Sequence, residues 1–291
     1  MHEIGPQYDP DDNFKSSARL HQSAYRASVL NVAFDEYGNR LTESAGRALL
    51  NYYDGLGVRE ALRRRFPSYS KERDADMLRS EHIPFNLLAP LIERPDLTEH
   101  VLNEMLGTPL RRPFRVQIEW APEPAKLYLG DKTSFDTYIE AHDLAGRVVG
   151  VGIEVKYTER GYLLGATEAA RVADAESSYW SLTRDSGVFV DSECKLLATD
   201  DLRQIWRNHL LGLAMKGAGS VDRFISLTIY PSGNRHFADA LSKYRTLLTD
   251  EGKHDLLECT FERYIGCISN SPELENWKTF LRERYVVKEP A

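Results

Sequence analysis

The sequence predicts a mixed α/β fold: a central sheet of about four to five strands flanked by helices, with a helical region ahead of it. Three observations lead there. From Phe14 to about Glu104, apolar residues recur at helical spacing. Past Pro109 and Pro113 the period drops to two, in short runs rich in Val and Ile. From about residue 165 onward, helical and strand-like segments alternate, which puts helices on both faces of the sheet.

Each element follows in order. Residues 1–13, polar and acidic, read as a flexible tail and carry no signal-peptide pattern. "SARLHQSAYRASVLNVAF" spaces its apolar residues as one helix face does, and "LTESAGRALLNYYDGLG" opens on Thr42 as N-cap and closes on Gly55 or Gly57. Short helices are expected at 58–66 and 96–106, with prolines between them. "FRVQIEW", "AKLYLG", "SFDTYIEA" and "RVVGVGIEVKY" read as strands. Helices at about 165–180 and 200–216 come next, then the strand "RFISLTIYP", the helix "NRHFADALSKYRTLL", the strand "DLLECTF" and the helix "PELENWKTFLRERY". The expected division is a tail (1–13), a helical N-terminal region packed on the core (14–113) and an α/β core (114–291).

Composition narrows the function. The 291 residues are 42% hydrophobic and 28% charged, as in an ordinary soluble globular protein. No apolar run approaches the roughly 18 residues of a membrane span. Three cysteines without CxxC spacing argue against a disulfide framework and a zinc site, and fit a reducing cytoplasm. A net charge of −7 weighs against nucleic acid as partner. The distribution weighs the other way: "REALRRRFPSYSKER" (59–73) holds six basic residues against two acidic, and "PLRRPFR" adds three more. Arg63, Arg64 and Arg65 are therefore candidate phosphate contacts; a solvated helix face is the plainer reading. Arg19, Gln22 and Arg26 share a helix face and are candidates too, with salt bridges to surface acids as their alternative.

The stretch "GIEVKYTE" (152–159) carries the chemistry. On one face of 148–158 lie Val149, Val151, Ile153, Val155 and Tyr157; on the other lie Gly150, Gly152, Glu154 and Lys156. The two glycines are expected to leave that face open to a ligand. Upstream, "HDLAGR" signals a hairpin whose three-residue loop ends on Gly146. Counting back from Asp143 opposite Arg147, Asp136 falls opposite Glu154 and Tyr138 opposite Gly152. Two carboxylates set side by side repel unless a cation lies between them. Mg²⁺ suits such a site, because it needs only one or two protein carboxylates and fills its shell with water and phosphate oxygens. Lys156 would then orient water and stabilise charge on a phosphate, which suits metal-assisted phosphodiester hydrolysis. The bare Asp/Glu-x-Lys string is weak: about two matches are expected by chance, and three occur, at Glu154, Glu193 and Glu251. The upstream acid and the hairpin register favour Glu154. A salt-bridge cluster on an edge strand is the bland alternative.

These residues resemble the PD-(D/E)xK nuclease superfamily, and within it a branch of bacterial restriction endonucleases. "SFDTYIEA" supplies Asp136 as the first acid, with Phe135 where the motif's proline usually stands; "IEVK" supplies Glu154 and Lys156. Further likeness lies in "ARLHQSAYR", "PFNLLAPL", "RQIWRNHLL" and "TIYPSGNRHFADALSKYRTLL".

The resemblance implies a restriction-endonuclease-like core, one or two Mg²⁺ ions (Mn²⁺ able to substitute) and cleavage of nucleic acid, DNA before RNA, in restriction or defence. Asp136, Glu154 and the main-chain carbonyl of Val155 would hold metal, and Lys156 would position the nucleophile. Gln204 matches a supporting glutamine on the helix after the catalytic strands, with Arg207 and Asn208 one turn on as nucleic-acid contacts. Glu43 matches an upstream-helix acid near the metal, although a capping role explains it equally. A homodimer would suit a double-strand cutter. An inactive nucleic-acid-binding module on the same fold and a structural or interaction protein are the rival readings.

Overall fold

Runs of β-branched residues build the middle of the sheet. The computed structural model describes residues 2–161 and 164–287. Residue 1 of the expected tail and residues 162–163 and 288–291 of the expected core lie outside the described residues. A small hairpin, β1 (Phe34–Asp35) and β2 (Tyr37–Leu41), precedes the main sheet. That sheet is formed by β3 (Leu110–Trp120), β4 (Phe135–Asp143), β5 (Val148–Val155), β6 (Arg223–Tyr230) and β7 (Leu256–Thr260), in that spatial order. The first three are antiparallel neighbours, while β5–β6 and β6–β7 are parallel.

The expected β4–β5 hairpin forms. Gly146 takes a positive φ of 80° in the turn, which glycine adopts without steric cost. The Asp143 N–H donates to the Arg147 carbonyl at 3.0 Å, and the Asp143 side chain accepts from the N–H groups of Ala145 and Arg147. The register is the one counted from sequence: Glu140 opposite Gly150, Tyr138 opposite Gly152, Thr137 opposite Ile153.

Helices α1 (Asn13–Tyr25), α2 (Glu43–Arg47), α3 (Val58–Arg65), α4 (Lys71–Ala75), α5 (Ile83–Leu88) and α6 (Pro95–Leu106) precede β3. The parallel step from β5 to β6 needs a long crossover, which contains α7 (Ala166–Ala173), α8 (Ser178–Asp185) and α9 (Arg203–Gly217). Then come α10 (Arg235–Thr246), α11 (Asp250–His254), α12 (Phe261–Cys267) and α13 (Pro272–Tyr285). One sheet face buries Val149, Val151, Ile153 and Val155 against Leu87, Leu102, Trp277 and Leu281. The other packs Tyr138 and Phe224 against Trp206, Leu210 and Leu241. Fully burying each such side chain contributes roughly 1.5–3 kcal/mol before entropy is counted. Helices of the 14–113 region share the first of these cores with the sheet, so they are built into it.

Several expectations are corrected. The first helix turns into a π-helical stretch at Arg26–Leu30 and stops at Asn31, whose φ of 51° is left-handed; the β1–β2 hairpin follows where helix was expected. Thr42 does cap α2, but that helix ends at Arg47. "AKLYLG" holds a short 3-10 turn at Ala125–Leu127, because its N–H groups bond locally: Leu127 to the Pro124 carbonyl, and Tyr128 and Gly130 to that of Ala125. The helix expected at 165–180 is two helices, α7 and α8. The tail is tied down: Arg26 donates to the carbonyl of Glu3, Gly38 N–H to that of Pro6 at 2.8 Å, and Asp12 caps α1. Composition alone could not reveal those partners, which come from elsewhere in the chain.

Candidate active site

Three acids meet at one end of the sheet. Asp136 is the second residue of β4, and its Oδ2 accepts the N–H of Val155 at 2.7 Å, a side chain standing in for a ladder bond. Glu154 lies next on β5. Lys156 follows β5, with its backbone held to Ile229 and its Nζ 2.7 Å from Glu154 Oε1. The third acid, Glu119, was not singled out from sequence. It lies between the pairs Ile118–Thr137 and Trp120–Phe135, and so directly across from Asp136. Its φ of 55° is a left-handed backbone held by a non-glycine residue, a strain that collects at functional sites. The signal that could have found it was "QIEW": an acid inside an apolar strand, one register step from the first motif acid.

Helix α9 supplies the ceiling. Gln204 Nε2 and Asn208 Nδ2 donate to the two carboxylate oxygens of Glu154, one each. Their i, i+4 spacing puts both on the same helix face. Asn208, expected to touch nucleic acid, is buried and spends its amide on Glu154. Arg207 lines the cleft and pairs with Glu168 at 3.4 Å. Glu159 closes the strand end, its carboxylate accepting N–H groups of Ser80, Tyr157 and Thr158.

The site opens into a cleft of about 590 Å³. Asp136, Glu154, Lys156, Gln204 and Glu159 line it, together with Arg19, Arg40, Asp76 and Arg79. Burial, with the charges of Glu154 and Glu119, pushes the Asp136 carboxyl well above the usual carboxylate range. Burial and Glu154 push Glu119 up to about 7. Burial of Lys156 opposes its charge, but Glu154, Asp136 and Glu159 outweigh it and raise its pKa, so the ammonium persists.

Other sequence candidates fall elsewhere. Glu43 is corrected: it is exposed on the first turn of α2, paired with Arg47 at 2.7 Å, and does not line the cleft. Gln22 and Arg26 are fully buried, so neither can face nucleic acid. Gln22 bonds Tyr157 and the Arg284 carbonyl; Arg26 bonds the carbonyls of Gly38, Val32 and Glu3. A helix face read as exposed was the face that packs. Arg19 is buried as well, pairs with Asp11 at 2.5 Å, and reaches the cleft wall. Arg63, Arg64 and Arg65 are exposed on α3, and Arg65 Nε donates to the Glu119 carbonyl at 3.1 Å. Gly150 and Gly152 do not leave room for a ligand. A Cβ on Gly152 would lie 2.6 Å from Phe135 and Phe224, and one on Gly150 2.8 Å from the Tyr138 hydroxyl. Glu193 is exposed and bonded to Arg184.

Fold and site together define an α/β nuclease built around an acid–acid–lysine cluster. The chain belongs to the PD-(D/E)XK nuclease superfamily, whose family model matches residues 9–287. No curated protein matches the chain, and no solved structure matches it. No helix among the described residues is long and apolar enough to cross a membrane.

Proposed function

We propose that the protein is a Mg²⁺-dependent endonuclease that hydrolyses phosphodiester bonds in DNA, with Mn²⁺ able to substitute. One observation carries the reading: Asp136, Glu154 and Lys156 converge at the mouth of a cleft in a chain of nuclease ancestry. Mg²⁺ is the cation of choice because it needs only one or two protein carboxylates and keeps several waters, which Asp136 and Glu154 can supply.

Asp136, Glu154 and the Val155 carbonyl would hold the metal, with Glu119 in place of Glu43 as the further acid. Bound there, a divalent cation supplies Lewis-acid chemistry, neutralising phosphate charge and acidifying water. Lys156 orients the attacking water and balances charge on the scissile phosphate. Gln204 and Asn208 fix the rotamer of Glu154, the role that outer hydrogen-bond partners play at metal sites. Arg207, which lines the cleft, would contact a nucleic-acid strand there, and Arg63, Arg64 and Arg65, exposed on α3, would add phosphate contacts. A role in restriction or defence in the cytoplasm rests on the likeness to restriction endonucleases and on three free cysteines. A homodimer would supply the second active site that a double-strand cut requires.

The test is cleavage of linear, circular, single-stranded and branched DNA, and of RNA, with Mg²⁺, Mn²⁺ or EDTA. Metal-dependent cleavage that vanishes in Lys156→Ala while binding survives is the expected result. Binding without cleavage of any substrate by the wild type would make the protein an inactive nucleic-acid-binding module instead.

A further inference from the structure

The lining of the active-site cleft comes from two parts of the chain. The strand ends and α9 supply the acids, Lys156, Gln204 and Arg207; the N-terminal region supplies Tyr8, Lys15, Arg19, Tyr37, Arg40 and Arg79. The cations of this second part are already paired. Arg19 and Lys15 meet Asp11 at 2.5 and 3.5 Å, Arg40 meets Asp76 at 3.6 Å, and Arg79 meets Glu81 at 2.9 Å. What the N-terminal region leaves for a ligand is therefore two aromatic rings and no free charge.

Tyr8 and Tyr37 meet edge to face, with ring centroids 5.7 Å apart. The Arg19 guanidinium lies 5.6 Å from one centroid and 5.4 Å from the other, and so backs both rings. Tyr8 is 43% exposed, and neither hydroxyl hydrogen-bonds to a described residue. Open rings with unused polar tips inside a cleft are a surface that a flat, partly polar ligand can cover. The rings are also held in place. Arg19 Nη1 donates to Asn39 Oδ1 at 2.6 Å, and the Gly38 N–H donates to the Pro6 carbonyl at 2.8 Å. The segment carrying Tyr8 lies so close to β2 that a Cβ on Gly5 would be 2.9 Å from Gly38 Cα. Little ordering entropy is left to lose on binding. In the same cleft the catalytic groups are recessed: the Glu154 and Lys156 side chains are only 12% and 9% exposed. A phosphate has to descend to them. A cleft of about 590 Å³ has the size of a pocket for one drug-sized molecule, which a nucleotide is and a duplex is not.

We propose that Tyr8 and Tyr37 form the stacking platform for one unpaired base beside the scissile phosphate, so that the cleft selects DNA unpaired at the cut (a single strand, flap or gap) over continuous duplex. The proposal rests on the nuclease reading and adds the form of substrate to it. In a duplex the faces of each base are covered by its neighbours, and exposing one costs unstacking free energy. A strand that is already unpaired avoids that cost. Stacking on an aromatic ring is open to every base, since each has a π-face, so these rings select strand form and not sequence.

The test is single-turnover cleavage, with Mg²⁺, of a labelled 20-nucleotide strand, of the same strand in a duplex, and of strands carrying one abasic residue at successive positions around the cut. The proteins are the wild type, the double variants Tyr8→Ala/Tyr37→Ala and Tyr8→Phe/Tyr37→Phe, and Phe114→Ala as the control, an exposed ring on β3 outside the cleft. The wild type is expected to cleave the strand about tenfold or more faster than the duplex. Tyr8→Ala/Tyr37→Ala is expected to lose about tenfold or more on the strand and nothing on the duplex. Tyr8→Phe/Tyr37→Phe and Phe114→Ala are expected to keep wild-type rates. One abasic position should cost the wild type a similar factor and cost the double alanine variant nothing further, the non-additivity that direct contact produces. Four results overturn the inference while leaving the nuclease reading standing: duplex cleaved as fast as the strand or faster, no sensitive position in the wild-type abasic scan, wild-type rates in the double alanine variant, or a double phenylalanine variant as impaired as the alanine one. The first two use wild-type protein and so do not depend on any variant folding. A wild type that cleaves no form of DNA or RNA overturns both.

Discussion

Glu119 lies directly across from Asp136 on the neighbouring strand, and Asp136 and Glu154 come one step beyond Thr137–Ile153, the last β4–β5 pair, with Asp136 Oδ2 accepting the Val155 N–H at 2.7 Å. Three carboxylates thus form a row over three adjacent strands, with Lys156 as the cation at its end. Like charges opposed in a sheet are destabilising. Removing one should therefore stabilise the metal-free protein and weaken its hold on a cation. Glu119→Gln is expected to raise Tm in EDTA and to shrink the Tm increase produced by Mg²⁺. A site occupied at 100 times its Kd gains about 2.7 kcal/mol in the wild type. An undiminished Mg²⁺ shift in the variant would remove Glu119 from the site.

The pair Gln204 and Asn208 acts through Glu154. Each supplies one of its two oxygens with an amide hydrogen. Alanine at either position leaves the carboxylate in place but free to rotate. Losses at such supporting partners run about 10–100-fold in metal affinity or activity. Mg²⁺ titrations of single-turnover cleavage should show the half-saturation point moving upward in both variants. Full rescue by Gln204→Asn would contradict the reading, because the shorter side chain cannot reach the same oxygen.

Gly152 tests a packing argument. Its missing Cβ is the space into which Phe135 and Phe224 close, at 2.6 Å. Gly152→Ala should overpack the sheet–α9 interface, at a cost of about 1–3 kcal/mol, measured by urea denaturation. Had the glycine served ligand access, alanine would impair binding and leave stability alone.

His209 sets a pH dependence of stability. It is buried on α9 with its Nδ1 3.0 Å from the Tyr244 hydroxyl. Burial pushes its pKa down to about 4; in the unfolded chain it is near 6.5. Above pH 6.5 the imidazole is neutral in both states and contributes no slope. Between about 6.5 and 4 the unfolded chain binds the extra proton, so stability falls as pH falls, by up to about 3 kcal/mol. Denaturation at pH 7.5 and pH 5 should show this fall, and His209→Gln should reduce it. The remaining slope would include His82, also buried and also pushed well below its usual range.

Local signals made the hairpin legible. "HDLAGR" specified the turn, the turn specified the register, and the register brought Tyr138 to Gly152 and the first acid to the second. Gln204 was reached only through the family resemblance; helical spacing, a local property, then placed Asn208 on the same face. Glu119 was missed because its partner is Asp136, and the β3–β4 connection is an irregular segment whose length does not dictate register. Arg19, Gln22 and Arg26 were misplaced for a related reason. Helical spacing showed that they share a face, but whether that face meets water or the 3–12 segment, β2 and α13 depends on chain far away in sequence.

The sequence by itself determined the strand periods, the β4–β5 hairpin, the acid–acid–lysine order and membership of a nuclease fold, because turns and side-chain alternation are set by neighbours. Only the tertiary structure decided that a third acid joins the row and that Glu43 stays outside it. It also decided that the two glycines admit aromatic rings. Those outcomes depend on which distant surfaces meet, and burial and charge are priced by the company each side chain keeps in three dimensions.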